Sequence, residues 1–315
     1  MNVKAAVVER YGPPEVVSVV DVPDPVAGKG QVLVRVHATT LNSGDARIRG
    51  FRLPRGFALP GRLALGLRRP RRAVLGVVYS GVVEAVGPGV GGVAVGDEVC
   101  GMTGARMGAH AELVAVRADR LCAKPAGVSH EQAAAILFGG STARHFLRDL
   151  VGPGKRVLVN GASGAVGSAA VQLAHLAGSH VTAVCSDRNA DLVRSLGAEE
   201  VVDHARHRVA ELTGRYDVVL DTVGNLDRRS GRRLLAADGV LVLVAAGLAD
   251  TVLARGDVRA GVSSEDPENF AWWLERMAAG ELRAVVDRTL PLSEIVEAHR
   301  IVDSGRKVGN LVLVP

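Results

Sequence analysis

The residues whose types and spacing are best suited to chemistry form a glycine-rich turn between two apolar runs. Residues 157–159 lead into Gly161, Gly164 and Gly167, and an alanine-rich helical pattern separates this turn from the apolar run 181–185. This order of strand, tight turn, helix and strand predicts one βαβ unit. The turn follows the dinucleotide-binding pattern with Ala162 in the first glycine place. Gly164 would let backbone approach a pyrophosphate, and Gly167 would let the helix pack close to the strand. The turn therefore predicts a dinucleotide site, against the alternative of a buried βαβ unit whose glycines only permit close packing.

The start of the helix and the end of the second strand complete this predicted site. Ala165 and Val166 lie in the first helical turn, whose free N–H groups and positive dipole end favour phosphate. The second strand is followed by Ser186, Asp187, Arg188 and Asn189. An acid at this tip holds the ribose hydroxyls of NAD, whereas Ser and Arg receive the 2′-phosphate of NADP. Because Asp187 lies one residue beyond the usual acidic place, the run favours NADPH over NADH.

Two patterns of secondary structure surround the turn. From residue 1 to 124 the chain shows short β-like runs punctuated by Gly and Pro, which predict barrel-like or sandwich-like sheet. From 125 to 263 strands and helices alternate, which predicts a parallel, doubly wound sheet. The tail, 264–315, matches the first part in style. With about 150 residues per domain as a guide, the sequence predicts an α/β protein of two domains, residues 1–124 with 264–315 and residues 125–263.

Two segments of the β-rich part differ from their surroundings. Asn42, Ser43 and Asp45 interrupt the pattern where a strand ends, so residues 40–50 are expected to form a site loop. Residues 51–72 mix Phe, Leu and Arg with Gly and Pro, which is typical of a mobile flap more than of a regular element. We therefore expect this segment to act as a lid.

A helical pattern begins between the two predicted domains. Ser129 and Gln132 match a capping box ahead of an alanine-rich run. Residues 139–150 open with glycines and small hydroxyl residues, so the sequence predicts a second, separate helix there.

Composition excludes several classes of protein. Hydrophobic residues make up 48% and charged residues 23% of the 315 residues, as in a soluble globular enzyme. No uninterrupted apolar run approaches the roughly 20 residues of a membrane span, and the N-terminus lacks the layout of a secretion signal. We therefore expect a cytoplasmic protein. Cys100, Cys122 and Cys185 are odd in number and widely spaced, which indicates reduced thiols rather than a disulfide framework or a metal cluster.

The net charge of +5 is concentrated in one place, because nine arginines lie between Arg47 and Arg72. Such a run binds nucleic acid, membranes or phosphorylated ligands in some proteins, but a solvated arginine-rich loop is the commoner explanation. Aromatic residues make up only 3% of the chain, and no helix-turn-helix, zinc-finger or stacking motif accompanies the run. We expect no nucleic-acid partner.

Motifs along essentially the whole chain agree in order and content with one family. They are KAAVVERYGPPEVV, LNSGDARIRG, GVVEAVGPGV with GDEV, GAHAELVAV, GGSTA, VLVNGASGAVGSAAVQLA, CSDRN, DVVLDTVG and LRAVVDRTLPLSEIVEAHRIVDSGRKVGNLVLV. On these motifs the sequence resembles the zinc-independent branch of the medium-chain dehydrogenase/reductase superfamily, the quinone oxidoreductase and alkenal/enone reductase group. The resemblance implies a β-rich, GroES-like catalytic domain enclosing a Rossmann domain, an active site in the interdomain cleft, and homodimers or homotetramers.

The resemblance also implies chemistry without a metal. Zinc-dependent relatives carry a cysteine near residues 42–45, a Gly-His-Glu where this chain has Gly76, Val77 and Val78, and a four-cysteine lobe. This sequence contains none of these. The reaction implied is hydride transfer from NAD(P)H to a small electrophilic acceptor, a quinone or an α,β-unsaturated ketone or aldehyde.

Four residues are expected to serve this reaction. Asn42, Arg47 and Tyr79 are the expected donors to the oxygen on which charge develops, and Asp45 is expected to orient its neighbours. The alternatives are that Asn42 and Asp45 only cap the loop and that Tyr79 packs in the core.

The family pattern adds four residues to the predicted cofactor site. Thr142 and Ser163 would face the nicotinamide and the phosphate, with helix capping as their alternative, and His204 stands where relatives often carry a tyrosine near the adenosine. Asn310 stands where the family commonly has a lysine, and Val78 where it has an acid. These two changes leave open an NADP(H)-binding protein of low turnover that acts through its dimer or a partner. An enoyl-thioester reductase, with its carrier beside the arginine run, is a further alternative.

Overall fold

The computed structural model describes residues 2–315. They divide into two compact units, residues 2–53, 58–138 and 265–315 in unit 1 and residues 54–57 and 139–264 in unit 2. The first boundary falls inside a helix, further along the chain than residue 124. Each unit carries a sheet of its own, so the predicted α/β class, with a β-rich part and a parallel-sheet part, is confirmed.

Strands and helices follow one another in the predicted style. The strands are β1 (Asn2–Val8), β2 (Val17–Pro23), β3 (Gln31–Leu41), β4 (Val78–Val86), β5 (Glu98–Met102), β6 (Leu113–Arg117), β7 (Leu121–Ala123), β8 (Arg156–Asn160), β9 (His180–Cys185), β10 (Glu200–Asp203), β11 (Tyr216–Asp221), β12 (Leu235–Leu243), β13 (Val258–Ala260), β14 (Val286–Pro291) and β15 (Asn310–Val314). The helices are α1 (Ser43–Gly50), α2 (Ala58–Leu65), α3 (His130–Leu147), α4 (Ala165–Leu176), α5 (Ala190–Ser195), α6 (Arg228–Arg232), α7 (Leu248–Val252), α8 (Pro267–Ala278) and α9 (Ile295–Asp303). Within residues 2–315 we find no helix with the length and apolar content that crossing a membrane requires.

Unit 1 is built on a mostly antiparallel sheet in the order β14-β15-β3-β4-β5-β7, with β6 paired to β3. Over residues 34–37 of β3 the buried Val34 and Val36 alternate with the exposed Arg35 and His37, and the preceding Val32 and Leu33 are both buried. This is the period-two alternation of a strand with one buried face. The buried valines contribute to one apolar cluster of the unit.

Unit 2 holds a parallel sheet in the order β10-β9-β8-β11-β12-β13. The chain runs outward from β8 through β9 and β10, and then returns to build the other half from β11. This is the strand order of dinucleotide-binding folds, in which ligands lie beyond the carboxyl ends of the strands where the order reverses. Here the reversal falls between β8 and β11.

The prediction of a loop over residues 40–50 is wrong, because most of this segment forms helix α1. Asn42 is the N-cap residue, and its side chain accepts from backbone N–H groups of the first turn. Asp45 returns the bond by accepting the Asn42 N–H at 2.9 Å. The Asn-x-x-Asp spacing is thus a capping box, which satisfies N–H groups that would otherwise lack acceptors.

The flap predicted over residues 51–72 also contains a regular element, helix α2. Pro60 lies in its first turn, where a helical N–H has no intrahelical partner to lose. Gly61 follows, and a Cβ there would lie 2.1 Å from Leu53 Cδ1. Gly61 therefore lets α2 pack closely against Leu53. Motion of residues 51–72 as a lid stays a prediction.

The two helices predicted around residues 129–150 are one helix, α3. The capping box is confirmed, since the Ser129 N–H donates to Gln132 Oε1 at 3.0 Å and the Gln132 N–H donates to Ser129 Oγ at 3.2 Å. The separate second helix is wrong. Gly139 lies inside α3, where a Cβ would be 2.3 Å from the Ala165 carbonyl oxygen. Glycine is needed there for the approach of α3 to the start of α4.

Candidate functional site

The predicted glycine turn follows directly from β8. Gly161 has a φ of 82°, a left-handed conformation that favours glycine, and a Cβ there would lie 2.4 Å from Thr222 Oγ1. A Cβ on Gly167 would lie 2.1 Å from the Gly161 carbonyl oxygen. Helix α4 therefore packs directly on the turn, at a separation that only glycine allows at these positions.

The N-terminus of α4 is open. Gly164 is its N-cap residue, and no side chain within residues 2–315 caps it. The N–H groups of Ala165 and Val166 lie in the first turn, where helical N–H groups lack an intrahelical acceptor. A Cβ on Gly164 would have only the Gly161 oxygen, at 3.3 Å, within 4 Å, a tight contact that a shift of a few tenths of an ångström would relieve. The arrangement suits an anion such as a diphosphate.

Four predicted cofactor residues meet beyond the carboxyl ends of β8 and β9. Asn189 Nδ2 donates to Ser163 Oγ at 3.1 Å. Ser186 Oγ lies 3.0 Å from His204 Nε2. Because β9 ends at Cys185, Ser186 takes the first position after the strand, which is the position that reads the ribose in such folds.

Next to this tip lies a cavity of about 350 Å³, whose lining includes Asp187, Arg194, Arg206 and His207. Arg188, between Asp187 and Asn189, is exposed. Basic side chains at the end of β9 thus share the site with acidic ones, since Asp203 also lines the cavity and pairs with Arg206. A ligand that carries negative charge is favoured at this edge of the sheet.

A buried polar network, which the sequence analysis did not single out, holds the glycine turn. Asn160 Nδ2 donates to Asp221 Oδ1 at 2.8 Å and to Asn225 Oδ1 at 2.6 Å. The Asp221 carboxylate also accepts the N–H groups of Gly224 and Leu226. Asp221 ends β11, beside β8. The sequence contains a signal for this network, because Asp221 directly follows an apolar run and an acid in that position lies at the carboxyl end of a strand.

The remaining two predicted cofactor residues have hydrogen bonds of their own. Thr142 is buried on α3, with its Oγ1 3.3 Å from Ser263 Oγ. Asn310 begins β15 in unit 1 and donates from Nδ2 to the Val285 oxygen at 3.0 Å. The contact of Asn310 supports the β14–β15 pairing. The roles of both residues toward a cofactor stay predictions.

In unit 1 the predicted donor Asn42 is 5% exposed. Its Oδ1 accepts the N–H groups of Gly44 at 2.7 Å and Asp45 at 3.3 Å. These two bonds set the orientation of the amide, because only the oxygen can accept. Nδ2 is buried and has no hydrogen-bond partner among residues 2–315. A buried donor without a partner costs free energy, and an acceptor atom that reached this N–H₂ group would remove that cost.

The carboxylate of Asp45 holds α1 in place. Its Oδ2 accepts the Asn42 N–H and its Oδ1 accepts the Gly76 N–H at 3.2 Å. Burial raises the pKa of Asp45, and the nearby His110 opposes this. His110 Nε2 lies 3.1 Å from the Thr40 oxygen. Asp45 thus caps α1 together with Asn42, which is the capping alternative, and its role in orienting a catalytic residue stays a prediction. His110 is a neighbour that the sequence reasoning missed although GAHAE contains it.

Tyr79 and Arg47 differ in their surroundings. Tyr79 is fully buried in the apolar cluster with Val34 and Val99. Burial raises the pKa of Tyr79 well above its usual value, so the hydroxyl is neutral. Its Oη is buried without a hydrogen-bond partner in the described part of the chain. Arg47 is half-buried, and its pKa is lowered by burial and, to a lesser degree, by Arg52. Core packing thus accounts for most of Tyr79, and donation by either residue stays a prediction.

The next feature is the set of side chains that could bind a metal ion. No group of three His, Cys, Asp or Glu side chains within residues 2–315 could hold a metal ion. Where zinc-dependent relatives carry their ligands, both oxygens of Asp45 accept backbone N–H groups, and Val77 and Val78 offer only apolar side chains. The residues present do not fit a tetrahedral zinc ion.

Comparison with known proteins agrees with this geometry. Residues 28–126 match the family described as alcohol dehydrogenase GroES-like domain, and residues 196–313 match the family described as zinc-binding dehydrogenase. The chain is 30% identical over 316 residues to the quinone-oxidoreductase QR1, chloroplastic, of Triphysaria versicolor, covering 94% of this chain and 93% of that protein. It is 30% identical over 332 residues to the NADPH-dependent alkenal/one oxidoreductase, chloroplastic, of Arabidopsis thaliana, covering 100% and 80% of the two chains.

Solved structures give the same result. The quinone oxidoreductase from Coxiella burnetii superposes with a TM-score of 0.89 at 29% identity, covering 100% of both chains. These relatives are named as oxidoreductases, and in folds of this type a parallel sheet with a glycine turn binds a dinucleotide. The chain therefore belongs to the medium-chain dehydrogenase/reductase superfamily and is an oxidoreductase that uses a nicotinamide cofactor.

Proposed function

We propose that this protein is an NADPH-dependent, metal-independent reductase that transfers hydride to a quinone or an α,β-unsaturated carbonyl compound. The nicotinamide supplies the hydride when it is bound. The chain supplies a cradle for the diphosphate, a basic strand tip for the 2′-phosphate and a hydrogen-bond donor for the acceptor oxygen. The observation that carries the proposal is the buried, unpartnered Nδ2 of Asn42.

The preference for NADPH rests on the tip of β9. Ser186, the first residue after the strand, offers a hydroxyl that is already held by His204, and the exposed Arg188 follows two residues later. A carboxylate in the place of Ser186 would repel a 2′-phosphate and hold the ribose hydroxyls of NAD instead. Asp187 lies one residue further, in the 3-10 helix Asp187–Asn189. This arrangement supports a phosphate-binding tip.

The role of Asn42 follows from where charge develops. Hydride addition to a quinone or enone places negative charge on the carbonyl oxygen, and a preorganised N–H donor stabilises that charge more than it stabilises the neutral substrate. The capping bonds of Oδ1 to Gly44 and Asp45 hold the Asn42 amide rigidly. Its Nδ2 therefore needs no reorganisation when the reaction begins, and the amide keeps its proton throughout.

Metal independence is supported by the donor set. Because Asp45 accepts backbone N–H groups with both oxygens and Val77 and Val78 carry no metal-binding atom, we expect activation of the carbonyl to depend on hydrogen bonding. We expect a strong chelator to leave turnover unchanged. Loss of turnover on chelation, restored by Zn²⁺, would contradict this part of the proposal.

The first test is binding. A thermal-shift titration with NADPH and NADH in parallel reports which cofactor the folded protein prefers, because a ligand of the native state raises stability by RT ln(1 + [L]/Kd). We expect a larger shift with NADPH, and we expect Arg188→Ala to reduce the NADPH shift while leaving the NADH shift unchanged. A larger shift with NADH would assign Asp187 to the ribose.

The second test is turnover with a small quinone and a small enone. Asn42→Ser keeps an N-cap oxygen but removes the amide donor, whereas Asn42→Ala removes both. We expect Asn42→Ser to lower kcat by about 10²-fold or more, the usual cost of an oxyanion donor, with little change in Tm. Turnover of the wild-type protein near background despite tight NADPH binding would favour the low-turnover alternative. An unchanged kcat in Asn42→Ser would remove Asn42 from the reaction.

Assembly and location complete the proposal. We expect a homodimer or homotetramer, as the resemblance implies, and a small molecule as the acceptor. We expect a cytoplasmic location from the composition and the N-terminal pattern. Light scattering on the purified chain measures its molar mass and tests the first of these expectations.

A further inference from the structure

Two cysteines face each other across neighbouring strands of unit 1. Cys100 on β5 is the direct partner of Cys122 on β7 in their antiparallel pairing. The two Sγ atoms are 3.6 Å apart. Directly opposed residues in antiparallel sheet have Cβ atoms about 4.5–5.5 Å apart, close to the roughly 3.5–4.5 Å of a disulfide. The strands therefore hold two thiols where a small approach would join them.

The two thiols differ in access. Cys100 is fully buried, and Cys122 is partly exposed. The Cys122 S–H points to the Cys100 carbonyl oxygen at 3.7 Å. The contact with Cys122, together with burial, raises the pKa of the Cys100 thiol, and Lys124 opposes this. An oxidant from solution thus reaches Cys122 first, and Cys100 is suited to react second, from inside the protein.

We propose that Cys100 and Cys122 form a reversible disulfide in the folded protein and so make it a target of thiol oxidation, separate from its hydride chemistry. The bond is intramolecular, closes the segment between β5 and β7, and needs no change of strand pairing. It is an inference about residues that neither the resemblance nor the proposed reaction uses.

The reaction with glutathione disulfide as the oxidant balances in two exchanges. The Cys122 thiolate attacks one sulfur of glutathione disulfide, forms a mixed disulfide and releases one glutathione thiolate. The Cys100 thiolate then attacks Cys122 Sγ, forms the Cys100–Cys122 bond and releases the second glutathione. The protein loses two electrons and two thiol protons, and these appear in two molecules of glutathione. Excess reduced glutathione or a dithiol reverses both steps.

The third cysteine is an internal control. Cys185 is buried on β9 of unit 2, and burial raises its pKa to about 11. The two strands next to β9 in the sheet, β8 and β10, contain no cysteine, so Cys185 has no second thiol beside it with which to close a disulfide. It should remain a free thiol under conditions that oxidise the pair.

The test uses the full-length wild-type protein, equilibrated in mixtures of reduced and oxidised glutathione under native conditions. After acid quenching, remaining thiols are alkylated in denaturant and counted by mass spectrometry. Arginines between the two cysteines let trypsin separate them, so a peptide pair joined by a disulfide identifies the bond. We expect the oxidised protein to retain one alkylated thiol, Cys185, and to show the Cys100–Cys122 peptide pair.

Three variants and a stability measurement make the test selective. Cys185→Ser should oxidise as the wild type does. Cys100→Ser should stop at a mixed disulfide on Cys122, and Cys122→Ser should not oxidise at all. Because a native crosslink restricts the unfolded chain, the oxidised wild type should have a higher Tm than the reduced protein, and the closing step should accelerate as pH rises. The proposal is overturned if the pair stays alkylatable in oxidised glutathione, if the bond joins Cys185, or if the oxidised protein has the lower Tm.

Discussion

His299 makes the stability of this protein sensitive to acid. It lies on α9 with 1% of its surface exposed, and neither ring nitrogen has a hydrogen-bond partner among residues 2–315. Burial is the main reason that the pKa of His299 falls from 6.5 to about 2, and electrostatic repulsion from His110, Arg49 and Arg52 lowers the pKa further. The side chain is therefore neutral in the folded protein, packed beside the apolar cluster that includes Ile295.

The size of the effect follows from proton linkage. Since the folded pKa lies below the unfolded value, the unfolded chain binds a proton at mildly acidic pH that the folded chain excludes. Stability from this group is complete above pH 6.5 and falls as pH decreases, by about 1.4 kcal/mol per pH unit well below that value. Between pH 8 and pH 5 we expect a loss of about 2 kcal/mol attributable to His299.

The perturbation that isolates this loss is His299→Leu, which keeps an apolar side chain in the cluster and cannot bind a proton. The free energy of unfolding is measured by urea titration at pH 8, 7, 6 and 5 for the wild type, for His299→Leu and for His175→Gln, a control at an exposed histidine of α4. We expect the wild type and the control to lose about 2 kcal/mol more than His299→Leu over this interval. Parallel pH profiles for wild type and His299→Leu would refute the reasoning, since they would mean that the imidazole is protonated or solvated in the fold.

The glycine turn allows a matched pair of substitutions, and the network beneath it allows one more. Gly167→Ala should lower stability by about 1–3 kcal/mol, because its Cβ meets the Gly161 oxygen at 2.1 Å; urea unfolding checks this, and an unchanged midpoint would contradict it. Gly164→Ala should cost less stability than Gly167→Ala, about 1 kcal/mol or less, because its Cβ meets the Gly161 oxygen at 3.3 Å rather than 2.1 Å. It should still reduce the NADPH-induced thermal shift, because the added Cβ would lie beside a bound diphosphate; an undiminished shift would place the phosphates elsewhere. Asp221→Ala should cost about 3 kcal/mol or more, because it leaves the buried amide of Asn160 and several N–H groups without their acceptor; a loss below about 1 kcal/mol would show that water replaces the carboxylate.

Local patterns predicted a large part of this fold. The glycine turn and the capping box at Ser129 were both predicted from neighbouring residues. Such features depend on spacing within a few residues, on the period of apolar side chains and on which residues tolerate a left-handed backbone. The alternation of strands and helices from residue 125 onward similarly predicted the parallel sheet.

The wrong predictions share a cause. Asn42 and Asp45 were interpreted as loop residues, although their spacing is also that of a capping box. The glycines of residues 51–72 and 139–150 were interpreted as signs of a flap and of a new helix start. In the structure a Cβ on Gly61 would meet Leu53 Cδ1, and a Cβ on Gly139 would meet the Ala165 oxygen. A glycine that ends a helix and a glycine that lets a helix pack closely look alike until the neighbouring element is known.

The amino-acid sequence by itself determined the fold class, the dinucleotide turn and the identity of most residues that the proposed site uses. Only the tertiary structure decided which polar atoms were left without partners and which side chains met. The free Nδ2 of Asn42, the burial of His299 and the contact between Cys100 and Cys122 are of this kind. These features depend on how elements far apart in the chain pack together, or on the pairing register of two strands. The residues of a single segment specify neither the packing nor the register.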